Sequence, residues 1–153
     1  MAGKSIAADA TMVRKLLKSA EEFHFAAELC RSKMDMQKPE SWLLAPQMTN
    51  YALASELALK GLQGHHLGII THGHDLEALC KSLPAASIDK IRGPDYSDQS
   101  FWAELKKCRR TFEEWRYTHE AGQIRAHLFF IQAFARSSIG VLHEEVAGPH
   151  SPL

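Results

Sequence analysis

Neither sign of charge is in excess. Eighteen lysines and arginines face eighteen aspartates and glutamates, so no overall field draws in a polyanion; strong nonspecific DNA binding is disfavoured, and only a local basic patch stays open. Paired cysteines are missing as well. Cys30, Cys80 and Cys108 are odd in number and lack metal-ligand spacing, a pattern that suits reduced thiols and a cytoplasmic address. The opening Met1-Ala2-Gly3-Lys4-Ser5-Ile6 has no apolar run of the kind a secretion signal needs, and no stretch reaches the length that crosses a bilayer. Strand alternation, repeats and low-complexity blocks are absent too. The 153 residues suffice for one domain with a proper core and are too few for two ordinary ones. We therefore expect a single helical domain over residues 1–147 and a mobile tail over 148–153.

What is present is helical periodicity. Val13, Leu16, Leu17, Ala20, Phe23 and Ala27 recur at threes and fours behind a cap at Asp9 or Thr11, which predicts a first long helix from about 10 to 32. After a connection over 33–41, Pro46 fits the first turn of a second helix that runs to about Gly64, its end weakened by Gly61 and Gly64. A His- and Gly-rich loop then spans 64–73, and Asp75 opens a short helix that Pro84 ends. Phe101, Leu105, Cys108, Phe112 and Trp115 form the seam of a third long helix, about 98–120. Ile124, Leu128, Ile131, Ala135, Ser138 and Leu142 mark a fourth, to about Val146. The expected architecture is all-α: an antiparallel bundle of four long helices with one or two short ones.

Three charged pairs interrupt this apolar text: Glu56 with Lys60, His74 with Asp75, and Arg116 with Glu120. Around Glu56 the apolar positions cover nearly the whole helix circumference and leave only the strip Glu56, Lys60, Gln63 polar. A charge on such a strip faces other helices and needs a partner. We expect Arg116 opposite Glu56, and Lys60 opposite Asp75 or Glu120, because Arg116 and Glu120 stand in the weaker order for a local pair. Such a cluster holds register. Alternatively it binds phosphate, since Arg offers a fixed fork to oxyanions and Lys a point charge.

The blocks Ala54-Ser55-Glu56-Leu57-Ala58-Leu59-Lys60-Gly61-Leu62, Gly73-His74-Asp75-Leu76-Glu77-Ala78-Leu79 and Phe112-Glu113-Glu114-Trp115-Arg116-Tyr117-Thr118-His119-Glu120 together resemble the HEPN family of small helical bundles, over residues 10–146. The resemblance implies an all-α fold, frequent homodimers, and roles in RNA cleavage, nucleotide binding or partnership with a nucleotidyltransferase or antitoxin in prokaryotic defence and toxin systems. Members of that family that cut RNA carry an arginine, four to six intervening residues, and then a histidine. Here Arg116 matches the arginine, but Ala121, Gly122 and Gln123 occupy the histidine positions. A noncatalytic or altered module that binds nucleotide, RNA or a protein partner is therefore the first expectation, with no cofactor. Two alternatives are a metal-independent endoribonuclease and a pure interaction scaffold.

For the ribonuclease, the candidate acid-base pairs are Arg116 with His119 and Arg136 with His143. His119 falls on the apolar seam, which also suits a packed histidine, and Arg136 and His143 share a face with Arg125 and Gln132 that reads as a solvated stripe. Tyr117 and Trp115 can stack on a base or pack in the core. His65, His66, His72 and His74, with Asp75, place five potential metal ligands within eleven residues. His74 belongs to the second block, where it is expected to cap or brace the short helix.

Overall fold

The computed structural model describes residues 4–114 and 124–148, and the chain is predominantly helical. Helix α1 spans Ala10–Ser32, its first turn capped by Asp9, which accepts from the Met12 amide at 2.7 Å. Residues Val13, Ala20 and Ala27, seven apart, form its buried line; two alanines there let the next helix approach closely. That helix, α2, spans Leu44–Leu67 and holds the centre: Tyr51, Ala52, Ala54, Ala58, Leu59 and Leu62 are all fully buried. A helix apolar on all sides must be covered on all sides. It begins before Pro46, because a proline within the first turn gives up an amide that has no helical partner there. Nor does it stop at Gly64. Its end comes at Gly68, where a left-handed φ of 66° closes the last turn.

The segment read as a loop before Gly73 holds a strand. β2, Ile69–Thr71, pairs antiparallel with β1, Ser5–Ala7, in the register Ser5 to Thr71 and Ala7 to Ile69. Three-residue strands alternate too briefly to show in a sequence, and a lone pair of strands is marginal in water. Here Gln63 pins it from α2, donating to Thr71 Oγ1 at 3.0 Å.

Two short helices follow, α3 (Leu76–Lys81) and α4 (Ala85–Arg92), then α5 (Asp98–Cys108), capped by Ser97. The expectation of one helix over 98–120 is corrected: α5 stops at Cys108, a turn occupies Arg109 and Arg110, and α6 restarts at Thr111–Glu114. The seam continues in register across that turn, which is why periodicity alone missed it. Residue Thr111 satisfies the Cys108 carbonyl with its own hydroxyl at 2.7 Å. The last helix, α7, spans Ile124–Ala147 and buries Leu128, Ile131, Ala135, Ser138 and Leu142 along the expected face. Phe101 of α5 meets Phe130 and Phe134 of α7, with centroids 6.1 and 6.0 Å apart.

Contacts fix the helix directions. Tyr51 reaches Glu28 while Gly64 lies against Val13, so α1 and α2 run antiparallel. Gly61 against Leu142 and His66 against Glu145 bring the ends of α2 and α7 together, which makes those two helices parallel. None of the described helices is long and apolar enough to cross a membrane.

Gly61 is the closest approach of α2 to α7: a Cβ there would stand 2.4 Å from Leu142 Cδ2. At Gly140, exposed on α7, nothing lies within 4 Å of such a Cβ. Gly61→Val should therefore cost about 2 kcal/mol by overpacking, whereas Gly140→Ala should add roughly 0.5–1 kcal/mol by helix propensity. Urea denaturation of the two variants checks both signs.

Candidate functional site

The polar strip of α2 is buried as the sequence demands, and its carboxylate is Glu56, 3 % exposed. Lys60, one turn on, donates to Glu56 Oε1 at 2.6 Å, and His74 sets Nδ1 3.0 Å from both carboxylate oxygens. Acid before base at a spacing of four is the favourable order on a helix. Lys60 accordingly answers its own helix neighbour, and the expected pairing of Lys60 with Asp75 is corrected. Asp75 is engaged elsewhere: it caps α3 by accepting from the Ala78 amide at 3.0 Å. The capping expected of His74 falls to Asp75, and His74 braces Glu56 instead.

This arrangement gathers parts of all three sequence blocks. The His74 ring packs on Phe112 of α6 with centroids 5.4 Å apart, and the Leu76 amide donates to the Arg109 carbonyl at 2.9 Å. The Arg109 guanidinium stands 4.0 Å from Asp75 and 3.7 Å from Glu77. Arg116, Tyr117, His119 and Glu120, with Trp115, lie outside the described residues.

A second polar network joins α1, α2 and α7. Glu28 accepts from Tyr51 Oη at 2.5 Å and from Gln132 Nε2 at 2.9 Å, and Arg31 Nε donates to its other oxygen at 2.8 Å. Desolvation pushes the Glu28 carboxyl up, but these donors together outweigh it and hold it below the ordinary range. Burial, then the bond to Glu28, pushes the Tyr51 phenol well above its usual range, so it stays a proton donor. Beside them His24 Nε2 is 3.9 Å from Glu28 and has no hydrogen-bond partner among the described residues. Its pKa is lowered, first by burial, with Glu28 opposing and Arg136 adding repulsion.

That network qualifies the face read as a solvated stripe on α7: Arg136 is exposed as expected, and its charge acts on His24, while Gln132 is half-buried against Glu28. No hydrogen bond joins Arg136 to His143 among the described residues. The four histidines of the expected loop divide among three places, with only His65 and His66 staying together. His65 and His66 occupy the last turn of α2, His72 is exposed after β2 with its amide donating to Lys4, and His74 serves Glu56. His66 instead meets Glu145 of α7, Nε2 to Oε2 2.6 Å, and Ser87 of α4 at 3.2 Å. Ser87 and Glu145 both address the same imidazole nitrogen, so this trio lacks the two-sided histidine of a nucleophilic triad. The thiols offer no nucleophile either at Cys80, which burial pushes up to about 12.

Sequence reasoning also passed over a basic run. Lys106, Lys107, Arg109 and Arg110 place four cations in five positions at the α5–α6 turn, next to the His74 loop. Lys106, Lys107 and Arg110 are exposed. Only Lys107 of these three is held in an ion pair among the described residues, to Glu104 at 2.6 Å. Searches of protein-family models, curated proteins and solved structures found no match to this chain.

The lowered pKa of His24 has a definite sign. The unfolded chain takes up that proton first, so the contribution of His24 to stability is whole above the ordinary histidine range and is lost as pH falls through it. Urea midpoints measured from about pH 8 down to about pH 5.5 should fall more steeply in the wild type than in His24→Gln. Parallel profiles would contradict the assignment.

Proposed function

We propose that the chain is a HEPN-like helical module, with α1, α2 and α7 as its long helices, that binds RNA or a nucleotide through phosphate contacts and does not cut it. The observation that supports this reading most is the exposed basic run at 106–110, which lies in sequence six residues before Arg116 and in space beside the Glu56–His74 cluster. Phosphate contacts supply most of the affinity in nonspecific nucleic-acid binding, and a chain of zero net charge can make them only through a local concentration of cations. Lys60 takes no part in phosphate binding on this reading, because Glu56 already neutralises it. The role falls to Lys106, Arg110 and Arg116. The meeting of the first two blocks at Glu56, with Phe112 of the third packed on His74, is in keeping with the family resemblance.

The missing histidine at 121–123 favours binding without cleavage. A homodimer, in a defence or toxin-antitoxin setting with a nucleotidyltransferase or antitoxin as partner, completes the proposal. Phe25 and Leu29, one turn apart on α1, and Phe129 on α7 are 64 %, 50 % and 72 % exposed. Large apolar side chains on neighbouring helices suit a protein interface.

Fluorescence anisotropy with a labelled single-stranded RNA at low salt, with ATP as competitor, tests the reading. Binding near the micromolar range should weaken steeply with added salt, as phosphate contacts require. Arg116→Ala and the double variant Lys106→Ala/Arg110→Ala should each weaken it about tenfold, with the RNA left intact on a gel. RNA cleavage without added metal that Arg116→Ala abolishes would replace the proposal by the ribonuclease, and no binding of RNA or ATP would leave a scaffold.

A further inference from the structure

The parallel course of α2 and α7 brings two helix C-termini side by side, and each presents the negative end of its dipole there. On those last turns stand His65 and His66 of α2 and Glu145 of α7. One donor atom from each, two imidazole nitrogens and a carboxylate oxygen, lies within 4.8 Å of the others. We propose that His65, His66 and Glu145 form a binding site for a late first-row divalent cation, for which Zn²⁺ is the natural probe.

The donor set fits the ion. Imidazole and carboxylate are the ligands of a site with three protein donors and one open position, and both helix ends favour positive charge. Tetrahedral zinc with bonds of about 2.1 Å sets its ligands roughly 3.4 Å apart. The 2.6 Å contact between His66 Nε2 and Glu145 Oε2 therefore has to open by under an ångström, and the widest pair has to close by somewhat more. The cation takes the place of the hydrogen bond between His66 Nε2 and Glu145, with the ring binding as a neutral imidazole whose proton sits on Nδ1.

The surroundings supply the outer contacts such a site needs. Ser87, 2 % exposed on α4, donates to Glu145 Oε1 at 3.1 Å and leaves Oε2 for the ion. Hydrogen bonds of this kind orient a ligating carboxylate. The nearest lysine on α4, Lys90, is taken up by Glu144 at 2.9 Å. Entry is open: a cavity of about 410 Å³ adjoins the cluster, lined by Asp9, Val13, Arg14, His65, Gly68 and Val146. A metal bound here would tie together α2, α7 and, through Ser87, α4.

The test uses the full chain, stripped by a chelator, returned to metal-free buffer and titrated with ZnCl₂ by calorimetry. One Zn²⁺ should bind per chain. His66→Ala and Glu145→Gln should each weaken binding about tenfold or more, while His72→Ala, which alters an exposed histidine outside the cluster, should leave it unchanged. The melting temperature of the wild type should rise with saturating Zn²⁺ by roughly 5 °C, and that of Glu145→Gln should not. If His66→Ala fails to fold by circular dichroism, His65→Ala, at an exposed position, serves in its place. Failure to bind Zn²⁺, wild-type affinity in Glu145→Gln, or equal loss in His72→Ala would overturn the proposal.

Discussion

A carboxylate sits where the fold has no water to offer it. Glu56 is on the central helix, among side chains that are fully buried, and an unpaired charge in such a place costs several kcal/mol. Two partners answer it, from different parts of the chain: Lys60 from the next turn of α2 and His74 from the loop that leads into α3. The first is local and would form in an isolated helix. The second is tertiary, and it fixes where the loop after β2 must lie. With the loop fixed, Asp75 can cap α3, Leu76 can reach the Arg109 carbonyl, and Phe112 of α6 can cover His74. Much of the segment from 73 to 114 is thus referred back to one oxygen pair on α2.

The helices were largely legible because their signals are local. Periodicity and Asp9 located α1 from end to end, and the face of α7 from Leu128 to Leu142 came out as read. The burial of Glu56 was legible for a related reason, since a polar strip so narrow leaves a charge nowhere to go. Partner choice was legible only in part. Lys60 was expected opposite Asp75 or Glu120 and meets Glu56 on its own helix, while the arginine expected opposite Glu56, Arg116, lies outside the described residues. The network of Glu28, Tyr51 and Gln132 escaped notice, because Glu28 and Gln132 are 104 positions apart and neither carries a local mark of the other. The turn at Arg109 and Arg110 hid for the opposite reason, as it keeps the seam in phase. The β pair hid because each strand is three residues long.

The molecule separates its polar work by place. Toward the α5–α6 turn, cations gather in sequence beside a cluster whose own charges are matched, which leaves the basic side chains available to an anion. At the shared C-terminal end of α2 and α7 the balance is reversed, with helix dipoles and Glu145 offering negative charge to His66. Nearer the start of α2, Glu28 and Tyr51 lock α1 to its neighbours. A chain of zero net charge can in this way present surfaces of opposite character at different ends.

The bond between Glu56 and His74 holds the most in place, and a double-mutant cycle measures it directly. Stabilities of the wild type, Glu56→Gln, His74→Ala and the double variant, taken from urea denaturation at neutral pH, give the coupling energy. We predict about 1–2 kcal/mol, as befits a hydrogen bond to a buried carboxylate from a half-exposed imidazole. Additive effects, with coupling within roughly 0.3 kcal/mol of zero, would contradict it.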